Sequence, residues 1–328
     1  MYYIILIIYL DCSDLIAAKE VLNLFKYVLM RVIYGILTIW MVATSTFILM
    51  RLVPGGPFLS EKAPSAAVTK ALEKKYGMDK PIFQQYTTYI SDALHGDFGP
   101  SIKQRGRTVS EIISAKFPVS ARLGLMAVGL ALLIGVPLGC LAAFNRGKAA
   151  DRIVIVICSG GVAIPSFVIC TVLMYIFGVQ LRWLPLMGLN TPQSYIMPVF
   201  ALSLLPSSYV ARLTRSSLLD VMEQDYIRTA KAKGVPQIIR IFKHALRNAI
   251  IPVITYIGPL LAYLVTGSMV VEKILTIPGI GGEFVSSIIK RDYPLIMGTT
   301  IFLAAILILM NLIVDILYKI IDPRIQLS

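Results

Sequence analysis

Charge is scarce in this sequence, and acid is scarcer than base. Of 328 residues only 15% are charged, with 18 Asp and Glu against 31 Lys and Arg, while 57% are hydrophobic. That balance excludes an ordinary soluble domain and indicates a polytopic membrane protein. In a soluble protein the formal net charge of +13 would suggest nucleic acid. Here the basic residues gather at the ends of apolar segments, as in cytoplasmic loops, so no nucleic-acid partner is expected. Histidine is nearly absent: His95 and His244 lie far apart, no H-E-x-x-H occurs, and no metal site is expected. The four cysteines, at 12, 140, 158 and 170, form no C-x-x-C pair. The last three fall inside apolar segments, where buried thiols are the expectation rather than disulfides or metal ligands. No G-x-x-x-x-G-K-[ST] occurs, so this chain binds no ATP through a P-loop and no cofactor of its own is expected. Gly279-Ile280-Gly281-Gly282 fails as a dinucleotide fingerprint, because no strand precedes it and Phe284 stands where the third glycine is needed. Ionisable residues are also nearly absent from the interiors of the apolar segments, and acids are missing from them. Asp315 is the exception, near a segment end, with Lys319 four residues on as its expected partner. Ion-driven carriers place acids or polar ligands at mid-membrane, so the energy for any transport is expected from elsewhere.

What is present is a series of six apolar spans. Residues 1–25 stand apart as an extension of no assigned role; their first ten are apolar but too short to span, without the basic start of a signal peptide. The segment 26–53 holds the first span, 28–52, with Lys26 and Arg31 placing its start in the cytoplasm and Pro54-Gly55-Gly56-Pro57 ending it. Residues 54–120 form a long polar region with short amphipathic helices over 67–76 and 81–94, read as an external helical subdomain packed on the membrane part. The membrane core, 121–321, carries five more spans at 121–144, 153–179, 196–213, 249–271 and 295–316, before a cytoplasmic tail, 322–328. The loops 145–152 and 216–248 are basic and read as cytoplasmic; 180–195 and 272–294 read as external. The expectation is an all-α protein of six transmembrane helices with both termini cytoplasmic. Spans two to five each contain proline, which across the set indicates kinks beside a cavity that changes shape, as in a transporter.

The most informative loop is 216–248. In the stretch 225–252, Asp225 stands alone against Arg228, Lys231, Lys233, Arg240, Lys243 and Arg247. Residues 226–233, starting at Tyr226, read as a short helix whose small residues, Thr229, Ala230 and Ala232, let another surface come close. Gly234 supplies the positive φ that ends such a helix, and Pro236 starts a second one. There Ile238, Ile239, Phe242, Ala245 and Leu246 recur at helical spacing as an apolar face. The pattern predicts a stiff hairpin that docks on a protein at the water side; the other reading is a basic helix lying on anionic membrane lipid.

This stretch resembles the cytoplasmic coupling loop of ABC importer permeases in its peptide-transporter form. Gly234 matches the loop's central glycine, Ala230 the last alanine of its signature and Leu246 its distal leucine. Arg228 and Arg247 replace the general family's glutamate and proline, as in the peptide type. The resemblance extends over nearly everything after residue 26, including 51–58 (RLVPGGPF), 95–101 (HGDFGPS), 117–120 (FPVS), 164–167 (IPSF), 277–281 (IPGIG) and 321–324 (IDPR). It is to the peptide/nickel permeases, with 95–101 and 117–120 tilting it towards oligopeptide B subunits; dipeptide or nickel import is the alternative.

What the resemblance implies is a type I importer fold in the bacterial inner membrane. It implies a homologous second permease, two ATPase subunits that use ATP and Mg, and an external binding protein that delivers peptide. The coupling residues would be Asp225, Tyr226, Arg228, Thr229, Ala230, Lys231, Ala232, Lys233, Gly234, Pro236 and Leu246. An uncharged lining is expected along the substrate path, with Pro165, Ser166, Thr255, Gly258 and Thr266 as candidates. An ion-coupled carrier and a membrane-embedded enzyme are the rival classes; the missing acids weigh against the first and the lack of any nucleophile–base constellation against the second.

Overall fold

Inside a bilayer the backbone has no water to bond to, and the chain meets that demand with helices. The computed structural model describes residues 2–54, 56–58 and 66–321, with the side chains of 2–25, 66, 69, 237 and 317–321 outside that description. The tail 322–328 and the side chain of Lys319 therefore lie outside the described residues. In order come α1 (Tyr2–Leu52), α2 (Ala66–Lys75), α3 (Ile82–Leu94), α4 (Val109–Phe144), α5 (Ala149–Ala163), α6 (Ser166–Leu173) with a π-helical continuation (Met174–Gln180), and α7 (Ile196–Met222). Then come α8 (Asp225–Ala232), α9 (Gln237–Ile239), a π-helical turn (Arg240–Ala245), α10 (Leu246–Ala249), α11 (Ile251–Val265), α12 (Met269–Ile274), α13 (Ile280–Lys290) and α14 (Tyr293–Ile321). Among the described residues the isolated β-bridge Pro100–Thr108 is antiparallel.

Five helical stretches are long and apolar enough to cross a membrane, and the α5–α6 pair makes six if counted as one crossing. That third span is not the single kinked helix expected over 153–179. α5 and α6 meet at 98°. The cause is local: Pro165 offers no N–H, and it pushes the preceding Ile164 into extended backbone at φ −93°, ψ 120°. Two other spans are longer than the apolar pattern suggested. α4 begins at Val109, where the Thr108 hydroxyl accepts from Glu111 N–H (3.2 Å) and the Glu111 carboxylate accepts from Thr108 N–H (3.1 Å). α7 runs on past 213 to Met222, carrying polar turns beyond the apolar stretch.

α4 and α7 form the centre. Gly135 and Gly139, one turn apart on α4, let the two backbones touch: a Cβ on Gly139 would lie 2.5 Å from Ala211 O, and one on Gly135 would lie 2.7 Å from Ser207 O. Gly124 does the same against Leu264 O of α11, at 2.5 Å. Around this contact Leu123, Ala127, Cys170, Met197, Ala201 and Val271 close the main core. α1 pairs with α14 between Arg31 and Met50, with the Tyr293 hydroxyl donating to Met50 O (3.0 Å) at one end and Arg31 paired to Asp315 (3.1 Å) at the other. Asp315 thus has a partner across the helix pair. This antiparallel packing puts the Lys26 end of α1 and the far end of α14 at the same end of the bundle as the α4 C-terminus and α8.

The opposite end is held by buried carboxylates. Asp292 accepts from the Ser101 hydroxyl and from the N–H groups of Ile102 and Lys103, both 3.1 Å. Glu283 takes Lys116 (2.7 Å) and Gln104 (2.6 Å). Glu272, 1% exposed, accepts from the Ser120 hydroxyl (2.6 Å) and Gly282 N–H (2.8 Å). These bonds tie the polar region 97–108 and α13 onto the ends of α4 and α14.

Candidate functional site

The basic loop projects from the α7 end as a hairpin. α8 starts with Asp225 in its first turn and ends with Lys231, charges that suit the two ends of a helix dipole. Arg228 lies 3.6 Å from Asp225, but both are widely exposed and the pair contributes little. At the C-terminus Gly234 takes φ +75°, its N–H bonds Lys231 O (3.0 Å) and the Val235 N–H reaches back to Ala230 O (3.1 Å). Both bonds belong to a Schellman cap, which needs a left-handed residue at that point. Pro236 sits just before α9, its carbonyl accepting from Arg240 N–H (3.0 Å).

α8 shows almost all of its surface. Asp225, Tyr226, Arg228, Thr229, Lys231, Ala232 and Lys233 are exposed and Ala230 is half-buried. Ile227 alone turns inward, 2% exposed, into a cluster with Cys140 of α4, Leu218 of α7, Ile241, Ala245 and Ala249. A second tie is the hydrogen bond from Asn248 Nδ2 to Tyr226 Oη, 2.8 Å. The short helix is therefore pinned to the membrane helices at one side chain and presents the rest outward.

The second helix departs from expectation. Ile238 (70% exposed), Ile239 and Phe242 (56% exposed) face out, while Ile241 and Ala245 are buried and Leu246 is half-buried. The reason is the π-helical turn. One extra residue in the hydrogen-bonded ring rotates the residues beyond it by about 100° relative to an α-helix, so a face drawn at 3.6-residue spacing does not stay on one side. Phe242 still meets Phe144 of α4 at a tilt, centroids 6.1 Å apart.

The five residues proposed for a substrate path do not converge. Pro165 and Ser166 stand at the α5–α6 break, exposed and half-buried respectively. Thr255, Gly258 and Thr266 are spaced along α11 and just past its end, exposed, buried and half-buried. None of them lines the cavity of about 260 Å³ between α1, α3 and the start of α14, among Phe47, Tyr89 and Met297.

A different surface is uncovered on the membrane helices, and it contains a charge that the expectation of an uncharged lining leaves out. Along α7 the exposed positions in its last turns are Tyr209, Arg212, Ser216 and Asp220. Along α11 they are Thr255, Pro259 and Tyr263. Tyr209 and Tyr256 bring the two stripes together with ring centroids 5.7 Å apart, and Arg212 lies over the Tyr209 ring at 4.9 Å. One turn further on, Arg215 is bidentate to Asp151 of α5, at 2.6 and 2.8 Å. The signal for this surface in the sequence is an arginine at the edge of an apolar run.

Two family models match. The model described as "Binding-protein-dependent transport system inner membrane component" covers residues 135–327, and its N-terminal counterpart covers 24–123. The chain is 44% identical over 302 residues to "Dipeptide transport system permease protein DppB" of Bacillus subtilis, covering 92% of this chain and 98% of that protein. It is 43% identical over 303 residues to "Oligopeptide transport system permease protein OppB" of Haemophilus influenzae, covering 92% and 99%. Among solved structures it is similar to a chain of the MetNI methionine ABC transporter in an inward-facing conformation, with a TM-score of 0.51 at 16% identity, covering 64% of this chain and 96% of that one.

Proposed function

The chain belongs to the binding-protein-dependent transport system inner membrane components, and from that premise we propose that it is the peptide-translocating permease subunit of an ATP-driven importer. It is a multi-pass protein of the bacterial inner membrane. The observation that carries the reading is α8: a capped helix pinned by Ile227 to α4 and α7, with its outer face free. Such an element fits a groove on an ATPase subunit. Asp225, Tyr226, Arg228, Thr229, Ala230, Lys231, Ala232 and Lys233 would enter that groove, Gly234 and Pro236 would fix the turn, and Leu246 would pack beneath it. The end of the bundle that holds α8, the start of α1 and the end of α14 would then be cytoplasmic, and the clamped region 97–108 with α13 external, facing a peptide-loaded binding protein.

ATP and Mg act at the two ATPase partners. Their closure drives α8 towards the equivalent helix of a homologous second permease, and α4 and α7 tilt with it through the Ile227 cluster. Peptide passes along the uncovered α7–α11 face. Relatives named for dipeptides and for oligopeptides match equally well, so the two substrate ranges are separate readings, decided by competing peptides of graded length in uptake. The test of the function itself is purification with co-expressed neighbours. Peptide-loaded binding protein should stimulate ATP hydrolysis several-fold, and finding no ATPase among the partners would sink the reading.

A further inference from the structure

The exposed surface of α1 and α5 is largely apolar between its charged ends. The exposed residues of α1 include Leu29, Ile33, Ile36 and Leu49, and those of α5 include Ile153, Val156 and Ile157. The exposed stripe of α7 is not of that kind. Within the apolar span 196–213 it carries a hydroxyl and a guanidinium, Tyr209 and Arg212, and in the turns beyond it Ser216 and Asp220. Within a span, a charged side chain is costly against hydrocarbon and is found facing a bundle interior, a partner or a wet cavity. Two arginines one turn apart make the contrast. Arg215 has its carboxylate, Asp151. Arg212 has an aromatic seat, the Tyr209 ring, and no ion pair among the described residues. A guanidinium that stacks on an aromatic ring leaves its N–H edge available for planar, two-point pairing with an oxyanion.

We propose that Arg212, seated on Tyr209 beside Tyr256, is a carboxylate-binding residue on the translocation path, and that its ligand is the C-terminal carboxylate of the passing peptide. This rests on the peptide-importer reading. The terminal carboxylate is the one negative charge that peptides share at a fixed place whatever their sequence, so a single arginine can act on all of them without selecting side chains. The tyrosine faces beside it tolerate varied apolar and polar neighbours. Arg212 lies about 4.5 Å deeper than Arg215 along the helix, at the inner part of the path, where a transient hold on the carboxylate would draw the peptide in that direction before release.

The test uses the full assembly, permease pair with ATPases, in proteoliposomes with saturating binding protein. Uptake is measured for tri-alanine, tri-alanine amide and Ala-Asp-Ala amide in wild type, Arg212→Gln and Arg212→Lys. The ratio of free-acid to amide uptake should fall about tenfold in Arg212→Gln, the scale of one lost charge-assisted bond, and stay within about threefold of wild type in Arg212→Lys. Comparing ratios between variants cancels any preference of the binding protein. A ratio unchanged in Arg212→Gln overturns the proposal, including the case where both peptides slow together, which would make Arg212 a holder of the neighbouring subunit. A loss for Ala-Asp-Ala amide as large as that for tri-alanine assigns the site to side-chain carboxylates and overturns the C-terminal assignment. If Arg212→Gln does not assemble, Tyr209→Leu with Tyr256→Leu removes the seat and should lower the same ratio about threefold; no change overturns the proposal. Wild type moving neither tri-alanine nor its amide would instead defeat the peptide-importer reading itself.

Discussion

Replacing Ile227 with alanine isolates what holds α8 to the membrane helices. The side chain is 2% exposed and packs on Leu218, Cys140, Ile241, Ala245 and Ala249. Alanine removes three of its carbons from that cluster. At about 0.8 kcal/mol for each buried methylene, plus a share for the hole left behind, the loss is about 3 kcal/mol. An eight-residue helix has no stability of its own in water, and besides Ile227 α8 has the Tyr226–Asn248 hydrogen bond and its cap. The packing loss therefore falls almost wholly on the docked state of α8. An energy of about 3 kcal/mol corresponds to roughly a 100-fold rise in the undocked population. Hydrogen exchange on the reconstituted protein reads this directly. Amides of 229–235 should exchange roughly 100-fold faster than in wild type, with α4 and α7 unchanged; Ile227→Val should give a few-fold effect. ATPase association should persist, since the outward face of α8 is untouched, while peptide moved per ATP drops. Unchanged exchange at 229–235 would refute the pin, and equal acceleration in α4 and α7 would show that Ile227 serves the whole bundle rather than a lever.

Three further outcomes rest on the packing. Gly234→Ala meets no neighbour within 4 Å, so its cost is purely that of holding φ +75° with a Cβ, about 1 kcal/mol; Gly234→Asn should cost less, and exchange at the α8 C-terminus distinguishes them. Asp151→Asn breaks a bidentate pair whose carboxylate is 3% exposed and whose arginine is 25% exposed. The loss should be about 2 kcal/mol in thermal unfolding, below that of a fully buried pair, and Arg215→Met in the same chain should recover part of it. Gly139→Ala puts a Cβ 2.5 Å from Ala211 O and should lower the melting temperature by several degrees, whereas Gly129→Ala on the same helix, with nothing within 4 Å, should be neutral or slightly stabilising.

Much of the architecture is legible because bilayer physics leaves few options. Apolar length places the spans, and the turn chemistry of Gly234 and Pro236 places the hairpin. What is not legible depends on the third dimension. The 98° break at Pro165 looks like an ordinary kink, because one proline is compatible with either. The outward face of Ile238 and Phe242 is hidden because a π-helical turn leaves no mark in apolar spacing. Glu272, Glu283 and Asp292 read only as parts of an external loop, 272–294; that each is a satisfied carboxylate near the roots of α4 and α14 needs partners more than 150 residues away. Arg212 is hidden for a simpler reason: the expectation of an uncharged lining excludes a charged residue from the start.

The packing also changes how the hairpin would transmit force. From residue 237 into α11 the backbone stays helical, with a π-helical turn at Arg240–Ala245 and a single turn residue, Ile250, that keeps helical bonds on both sides (Ile250 N–H to Leu246 O and Ile254 N–H to Ile250 O, each 2.9 Å). One route for a push on α8 therefore runs along this stretch into α11. A second runs sideways through Ile227 into Leu218, and α7 from Leu218 to Arg212 is unbroken helix about 9 Å long. The ATPase-facing helix and the proposed carboxylate site would then ride on one rigid element. Any tilt of α7 driven by nucleotide must move Arg212 relative to α11, and the Tyr209–Tyr256 contact, at 5.7 Å, is where that movement has to appear first. A disulfide between cysteines placed at 209 and 256 should therefore hold the two stripes together and stop peptide uptake while leaving ATP binding to the partners intact, with reductant restoring uptake; full uptake in the oxidised state would separate the lever from the path.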